Sequence, residues 1–470
     1  MRHRGEAAAT HGRGIVALRG EQSRQSVPGR ELLGMTPGTV AGLLLAAVFA
    51  GLVLLAPRRA IVLLVVVGGF QLFQAFVVAG SRIEQGLFPI EVMATVCLAL
   101  WCLRAPGGAA GSVAPPIDRP FVALLIVAAA SFVVSLFWVD PAVPRAHVKP
   151  LVSIGQILLI AWPLAIYQFV ARTVDEEALA ERLVKLVVLL AIPSVAVPVV
   201  SPEWRSLIGW SVYFGLAAAP FCFARIFYVR SWLARLGLLV LAVSPAINGL
   251  TAGKAFLYGF VAVFVVTIGL LRVPRLMIGA AVLTAGLYLG VVVPFQGSLL
   301  PAPAVRLVEM EERQGSWGGP SGRVQLAIDA VTIWRDHPML GVGPGNSWPY
   351  MHHYSVIDTP HNQYLNILLE LGVAGLGAFL LLLAGCLHVG WRLYTTAEGF
   401  TQVFALGWLG YFVGMILGSL TGDFVLHSIR NGGLELFTGF YLQWVMLGLL
   451  VALSRLHATA RARAIEEVAA

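Results

Sequence analysis

NQYLNILLELGVAGLGAFLLLLAGCLH, residues 362–388, is almost wholly apolar and long enough as a helix to cross a hydrocarbon layer of roughly 30 Å. Twelve further apolar runs resemble it, at about 37–56, 60–80, 87–103, 119–138, 150–171, 183–200, 206–223, 232–249, 255–271, 276–297, 402–422 and 434–453. Of the 470 residues 58% are hydrophobic and 12% charged, about half the charged share of an ordinary soluble domain. A water-soluble fold would lack a polar surface. The runs do not alternate as barrel strands do, so the predicted fold is an all-α polytopic bundle of about 12–13 transmembrane helices.

The expected organisation is a basic tail (1–36), ten spans (37–297), a large loop (298–361), three spans (362–454) and a second basic tail (455–470). Arg58 and Arg59, Arg172 with Arg182 and Lys185, Arg225 with Arg230 and Arg235, Arg272 with Arg275, and Arg455 with Arg461 and Arg463 fall on one side, which should be cytoplasmic. The large loop is then periplasmic, as expected of a bacterial inner-membrane protein. An odd number of spans leaves the arginine-bearing first tail outside, against the charge rule; a start at Met35 or a miscounted span repairs this. The net charge of +8 sits in short loops and makes no single basic face, which argues against nucleic acid as a partner. Cys97, Cys102, Cys222 and Cys386 lie in or beside apolar runs with no CxxC pair, and read as buried small hydrophobes.

A loop of about 60 residues among loops of 3–17 is where function is expected. Within it, residues 322–335 place Val324, Ala327, Ile328, Val331 and Trp334 at helical spacing, predicting an amphipathic helix on the membrane surface or the bundle, capped by Ser321. Arg323 falls in its first turn, where a cation opposes the helix dipole unless an anion sits beside it; a solvated or headgroup-contacting arginine is the simpler alternative. Gly341, Gly343 and Gly345 form a GxGxG, but Pro344 and the missing strand argue for a tight turn packed on the bundle and not for a dinucleotide site. His361 precedes the span beginning at Asn362. The helix N-terminus there attracts phosphate oxygens and keeps an imidazole neutral, ready to accept a proton. His337, His352 and His353 form no metal-binding spacing with it.

His361-Asn362, nine residues, Gly372, two residues and Gly375 resemble the histidine-containing loop motif of the O-antigen ligase and polymerase superfamily, and the preceding HPMLGVGPG with an upstream arginine is similar to it as well. The resemblance covers about residues 320–385. It implies inverting, metal-independent transfer of a glycan from undecaprenyl diphosphate to an acceptor hydroxyl, on a lipid A core, another glycan or a protein. By the same pattern His361 acts as base or holds the acceptor hydroxyl in line, Arg323 binds the diphosphate, and Lys254, in LTAGKAF, takes the place of a usual arginine; no cofactor is implied. Lysine there supplies a point charge in place of a bidentate fork.

Arg82, Arg145, Lys149, Arg205, Lys254, Arg323 and Arg430 are among the basic residues on the predicted outer side, and Arg323 and Lys254 are the candidates among them. Of the carboxylates expected at membrane depth (Glu91, Asp423, Glu435), Asp423 is a candidate to orient His361 or bind acceptor. Tyr364 is expected to line the acceptor path, and Asn362 to cap the helix or line the site. The competing class is a transporter or flippase of lipid-linked sugars, which would carry paired broken helices in two related halves.

Overall fold

A computed structural model describes residues 37–68, 76–78, 85–104, 114–138, 150–196, 211–252, 269, 320–354, 359–429, 434 and 436–469. The helices are α1 (Pro37–Leu55), α2 (Pro57–Gly68), α3 (Pro89–Arg104), α4 (Pro115–Phe137), α5 (Pro150–Thr173), α6 (Glu177–Ala191), α7 (Ser211–Ile226) and α8 (Trp232–Ala252), then α9 (Pro320–Asp336), α10 (Ser347–Tyr354), α11 (Gln363–Thr396), α12 (Gly399–Gly418) and α13 (Leu436–Ala469). Six of them open on proline, whose fixed φ suits the first turn and whose missing N–H is not needed there. α1, α4, α5, α11, α12 and α13 are long and apolar enough to cross a membrane. The chain is an all-α, multi-pass membrane protein.

Several boundaries differ from the sequence-based expectation. The apolar run 60–80 is not one helix: α2 ends at Gly68, where the Tyr441 ring packs against it, and Phe76–Val78 (β1) pairs antiparallel with Gln85–Leu87 (β2). The run 183–200 begins earlier, at Glu177, and closes in a 3-10 turn at Ile192–Val195 containing Pro193. α13 continues as helix through the basic tail to Ala469. The first tail, the spans expected at 255–271 and 276–297, and the first part of the large loop lie outside the described residues.

α13 is the inner helix: 89% of its apolar span is buried, against 17% for α1, which leaves α1 facing lipid. Trp444, Tyr441 and Phe437 on α13 anchor a core that takes Trp162 and Tyr167 from α5 and Phe121 from α4. α4 and α11 run antiparallel. Ser131 on α4 reaches Glu370 on α11, while Gly385 lets α11 pass against the Pro116 carbonyl at the other end of α4. At that other end Arg58 pairs with Asp175 at 2.7 Å and Arg455 donates to the Val174 carbonyl at 2.8 Å. These contacts gather on one face three of the five basic loops that the charge distribution grouped, those of Arg58, Arg182 and Arg455. The exposed pair adds little stability.

Candidate active site around the break in α11

The apolar run with which α11 begins does not continue as a straight helix. At Gly372 the backbone takes φ 66° and ψ −166°, a conformation open essentially only to glycine. The break strips nearby peptide groups of their helical partners, and the turn after α9 supplies replacements. Val342 N donates to the Leu369 carbonyl at 2.9 Å and Gly343 N to that of Glu370 at 3.0 Å. Val373 N donates to the Pro338 carbonyl at 2.9 Å, and Ala374 N to that of Met339 at 3.3 Å. Ser131 Oγ lies 2.6 Å from the Leu340 carbonyl oxygen and 3.0 Å from that of Glu370. The GxGxG is therefore a turn laid against α11: Gly341 has φ 66° and its α-carbon faces the Leu369–Glu370 backbone with no room for a side chain. Gly375 gives way to the Leu371 side chain one turn on.

Residues 363–371 form a separate helical piece, and its N-terminus is the candidate site. Asn362 is the N-cap: Oδ1 accepts from Leu365 N at 3.1 Å and Nδ2 donates to the Leu420 carbonyl at 3.1 Å. His361, immediately before it, is exposed and has φ 47°, the one described non-glycine residue with positive φ. Left-handed backbone in a non-glycine residue is uncommon and collects at functional positions. The imidazole thus stands at the mouth of a helix whose first N–H groups concentrate positive potential.

The segment 419–429 wraps this N-terminus and is held by three glutamines from three helices. Gln363 Oε1 accepts from Ser419 Oγ (2.7 Å) and Val425 N (3.1 Å), and its amide donates to the Leu426 carbonyl. Gln156 on α5 donates to the His427 carbonyl (2.9 Å) and accepts from Ile429 N (2.8 Å). Gln443 on α13 donates to the Val425 carbonyl (2.7 Å). Each glutamine offers both a donor and an acceptor, which is what irregular backbone buried among helices requires.

Arg323 is exposed in the first turn of α9. That helix opens on Pro320, so Ser321 lies inside it and is not the cap. The face packed on the bundle is Leu326, Ala330 and Ile333, whereas Val324 and Ile328 of the apolar stripe read from the sequence are 59% and 52% exposed. Both sets satisfy helical spacing; the buried set wins because it meets Leu369, Val342, Tyr350 and Met351, with Leu365 against them. Asp329 on the same face accepts from Gln325 Nε2 at 2.8 Å through one carboxylate oxygen, and its other oxygen is buried without a hydrogen-bond partner among the described residues. Arg323 and His361 each stand one helical turn from this shared cluster.

Tyr364 is half-buried and its hydroxyl donates to the Ile416 carbonyl at 2.7 Å, tying α11 to α12. Asp423 is half-buried in the wrapping segment, beyond the end of α12 at Gly418. Glu91 is a structural carboxylate: it accepts from Phe88 N (2.8 Å) at the start of α3 and from Thr438 Oγ1 (3.1 Å) on α13. Lys254, Arg82, Arg145, Lys149, Arg205, Arg430 and Glu435 lie outside the described residues, as do the side chains of His352 and His353. Among the described residues no group of three or more His, Cys, Asp or Glu is arranged to hold a metal ion.

Glu370 and His427 escaped the sequence reading. Glu370 is buried beside the break and accepts from Ser347 Oγ at 2.7 Å. A carboxylate within an apolar run was the available signal. His427 is buried against the Phe440 ring (centroids 4.1 Å apart) and, with Glu370, Gln156, Gln363 and Asn366, lines a cavity of about 20 Å3. Burial lowers its pKa to about 4, against a weaker opposing pull from the Asp423 backbone.

A consequence for stability follows from that shift. Unfolded, this imidazole titrates near 6.5; folded, at about 4. Between those values the unfolded chain binds more protons, so the contribution is complete above about 6.5 and is lost as pH falls towards 4. The loss is on the order of 2 kcal/mol at about pH 5. Thermal unfolding in detergent should show a steeper fall from pH 7 to 5 for the parent than for His427→Gln; equal slopes would reject the assignment.

Residues 236–380 match the model of a family described as O-antigen ligase. Comparison with curated proteins gives no match. The matched stretch takes in Arg323, the glycine turn, His361, Gly372 and Gly375, and ends before Asp423. The glycines that shape the break in α11 and the histidine at its mouth thus lie in one stretch that matches the O-antigen ligase family model.

Proposed function

We propose that this protein transfers a glycan from undecaprenyl diphosphate to an acceptor hydroxyl on the periplasmic face of the bacterial inner membrane, with inversion and without a metal. The observation that carries the proposal is the shared cluster of Leu326, Leu365 and Leu369, which puts a surface arginine and the histidine at the mouth of α11 one turn away on either side. A lipid diphosphate is already a good leaving group, so the protein mainly has to receive developing negative charge, orient the acceptor and take one proton. In this reading His361 accepts the hydroxyl proton as the new glycosidic bond forms at the anomeric carbon. The bond to the diphosphate oxygen breaks on the opposite side. Arg323 and the N–H groups at the start of α11 take up the charge left on the diphosphate, with Lys254 as a second cation. Asn362 and Tyr364 hold the backbone around the acceptor, and Asp423 lies in the segment that borders it.

The membrane orientation rests on the grouping of Arg58, Arg172, Arg182 and Arg455 at the opposite end of the bundle. The acceptor is a lipid A core sugar in a ligase and a growing glycan in a polymerase. Purified protein in detergent, with no bilayer to cross, should form product from an undecaprenyl-diphosphate glycan and an acceptor, which a flippase would not do. Arg323→Ala should lower kcat/KM by about 10²-fold, a loss of roughly 2.7 kcal/mol of transition-state stabilisation, and Arg323→Lys should recover part of it. If Arg323→Ala transfers glycan at the parental rate, the diphosphate is bound elsewhere.

A further inference from the structure

α3 and α4 both pack against α5, and the gap between them is a cavity of about 600 Å3, a volume typical of a small-molecule site. Its polar lining is Asp118, Arg119, Gln168, Arg172 and Thr173; its apolar walls include Leu100, Trp101, Phe169 and, from α1, Val53. Arg119 and Arg172 are exposed at the ends of their helices. The charge of Asp118 is taken up internally: one carboxylate oxygen accepts from the Tyr167 hydroxyl and the Gln168 amide, the other from Ala114 N at 3.0 Å. Gln168 in turn accepts from Arg172 Nε at 3.0 Å, which fixes that guanidinium at the rim. The rim therefore presents two cations and one carboxylate already committed to protein donors.

The cavity does not close towards the bilayer. Val122 and Ile126, on its α4 wall, are 36% and 63% exposed, so its side opens where lipid chains run. From Arg119 to Ile126 is two helical turns, roughly 10 Å from a cationic mouth to an apolar interior. That polarity fits an amphiphile with an anionic head and an apolar tail. The site is distinct from the one at His361. Pro116, next to this mouth, meets α11 at Gly385, fifteen residues or about 22 Å of helix beyond Glu370.

We propose that this cavity is a binding site for an anionic phospholipid of the membrane leaflet opposite the face that carries His361. The phosphate lies between Arg119 and Arg172 and one acyl chain follows Val122 and Ile126 inward. A soluble anion gains nothing from the apolar walls, and a zwitterionic lipid brings a second, repelled charge to the arginines.

The test is native mass spectrometry of the full-length protein in detergent, titrated separately with dioleoylphosphatidylglycerol, dioleoylphosphatidylcholine and inorganic phosphate. Phosphatidylglycerol should be retained in preference to phosphatidylcholine, and excess inorganic phosphate should not displace it. Loss of one arginine should weaken retention about fivefold, and Arg119→Gln with Arg172→Gln about thirtyfold. Ala123→Phe, which fills the cavity without changing charge, should weaken it as well. Equal retention of both lipids, displacement by inorganic phosphate, or retention unchanged in Ala123→Phe would each overturn the proposal. Should the double arginine variant fail to fold, Arg119→Gln and Ala123→Phe decide it. Glycan transfer is not the readout, so the result stands apart from the proposed reaction.

Discussion

A His361→Asn protein folds, inserts and loses glycan transfer by about 10²–10⁴-fold, the contribution of a general base. Asparagine is the informative replacement because His361 sits at φ 47°. Asparagine tolerates left-handed backbone far better than alanine, so the variant removes the base while keeping the turn that feeds α11. His361→Ala should lose activity to the same extent and, in addition, a fraction of stability, since the backbone strain is no longer offset by a local polar side chain. Much of the stitching that shapes the site is carried by the neighbouring side chains of Asn362 and Gln363. Asn362 caps α11 and binds Leu420, and Gln363 holds Ser419 and Val425, whatever stands at 361. The expected signature is therefore a fall in kcat with an unfolding midpoint for His361→Asn within a degree or two of the parent. Full transfer by His361→Asn would mean that another group accepts the acceptor proton.

The membrane fold was legible because lipid imposes a strong rule: apolar runs of sufficient length must satisfy their own backbone, and helices do so. α1, α4, α5, α11 and α12 lie close to where hydropathy put them. What hydropathy could not show is how irregular backbone is satisfied inside such a bundle. The run 60–80 is apolar throughout, yet its end pairs as a strand, a choice made by tertiary neighbours that periodicity does not encode. The run from 362 to 388 likewise reads as one span. Only the left-handed requirement at Gly372, visible in coordinates and not in composition, divides it.

The candidate site was legible in part for a related reason. His361 and Arg323 stood out because each falls at a helix N-terminus inside the stretch that resembles the family motif. Gln156, Gln363 and Gln443 did not, because a glutamine in an apolar helix carries no charge and announces nothing until its partner loop is known. His427 was not singled out from the sequence, because its burial and its lowered pKa depend on the packing of Phe440 and the 419–429 segment. Which stripe of α9 packs on the bundle was not legible, because that depends on Leu369 and Val342, which are distant in sequence.

Gly372→Ala should be the most damaging substitution of a single small residue in the described structure. Two independent costs coincide there. The backbone pair φ 66°, ψ −166° is closed to residues with a Cβ, a strain of about 1–3 kcal/mol. An added Cβ would also fall on the Met339 backbone, which cannot step aside without giving up the bonds from Val373 N and Ala374 N to the Pro338 and Met339 carbonyls. Losing those pairings in a buried setting costs a further 1–3 kcal/mol or so for each group left unsatisfied. The total, on the order of 4 kcal/mol or more, is a large share of an ordinary stability margin of roughly 5–15 kcal/mol. The variant should therefore accumulate poorly in the membrane and unfold at a much lower temperature. Gly377, five residues along the same helix, has open space where its Cβ would go, and Gly377→Ala should be neutral or up to about 1 kcal/mol stabilising through helix propensity alone. The pair separates the two meanings of glycine in this helix, because side-chain length and hydropathy change equally in both. Comparable yield and unfolding temperature for the two alanine variants would show that the break at Gly372 is not what holds the 338–343 turn against α11.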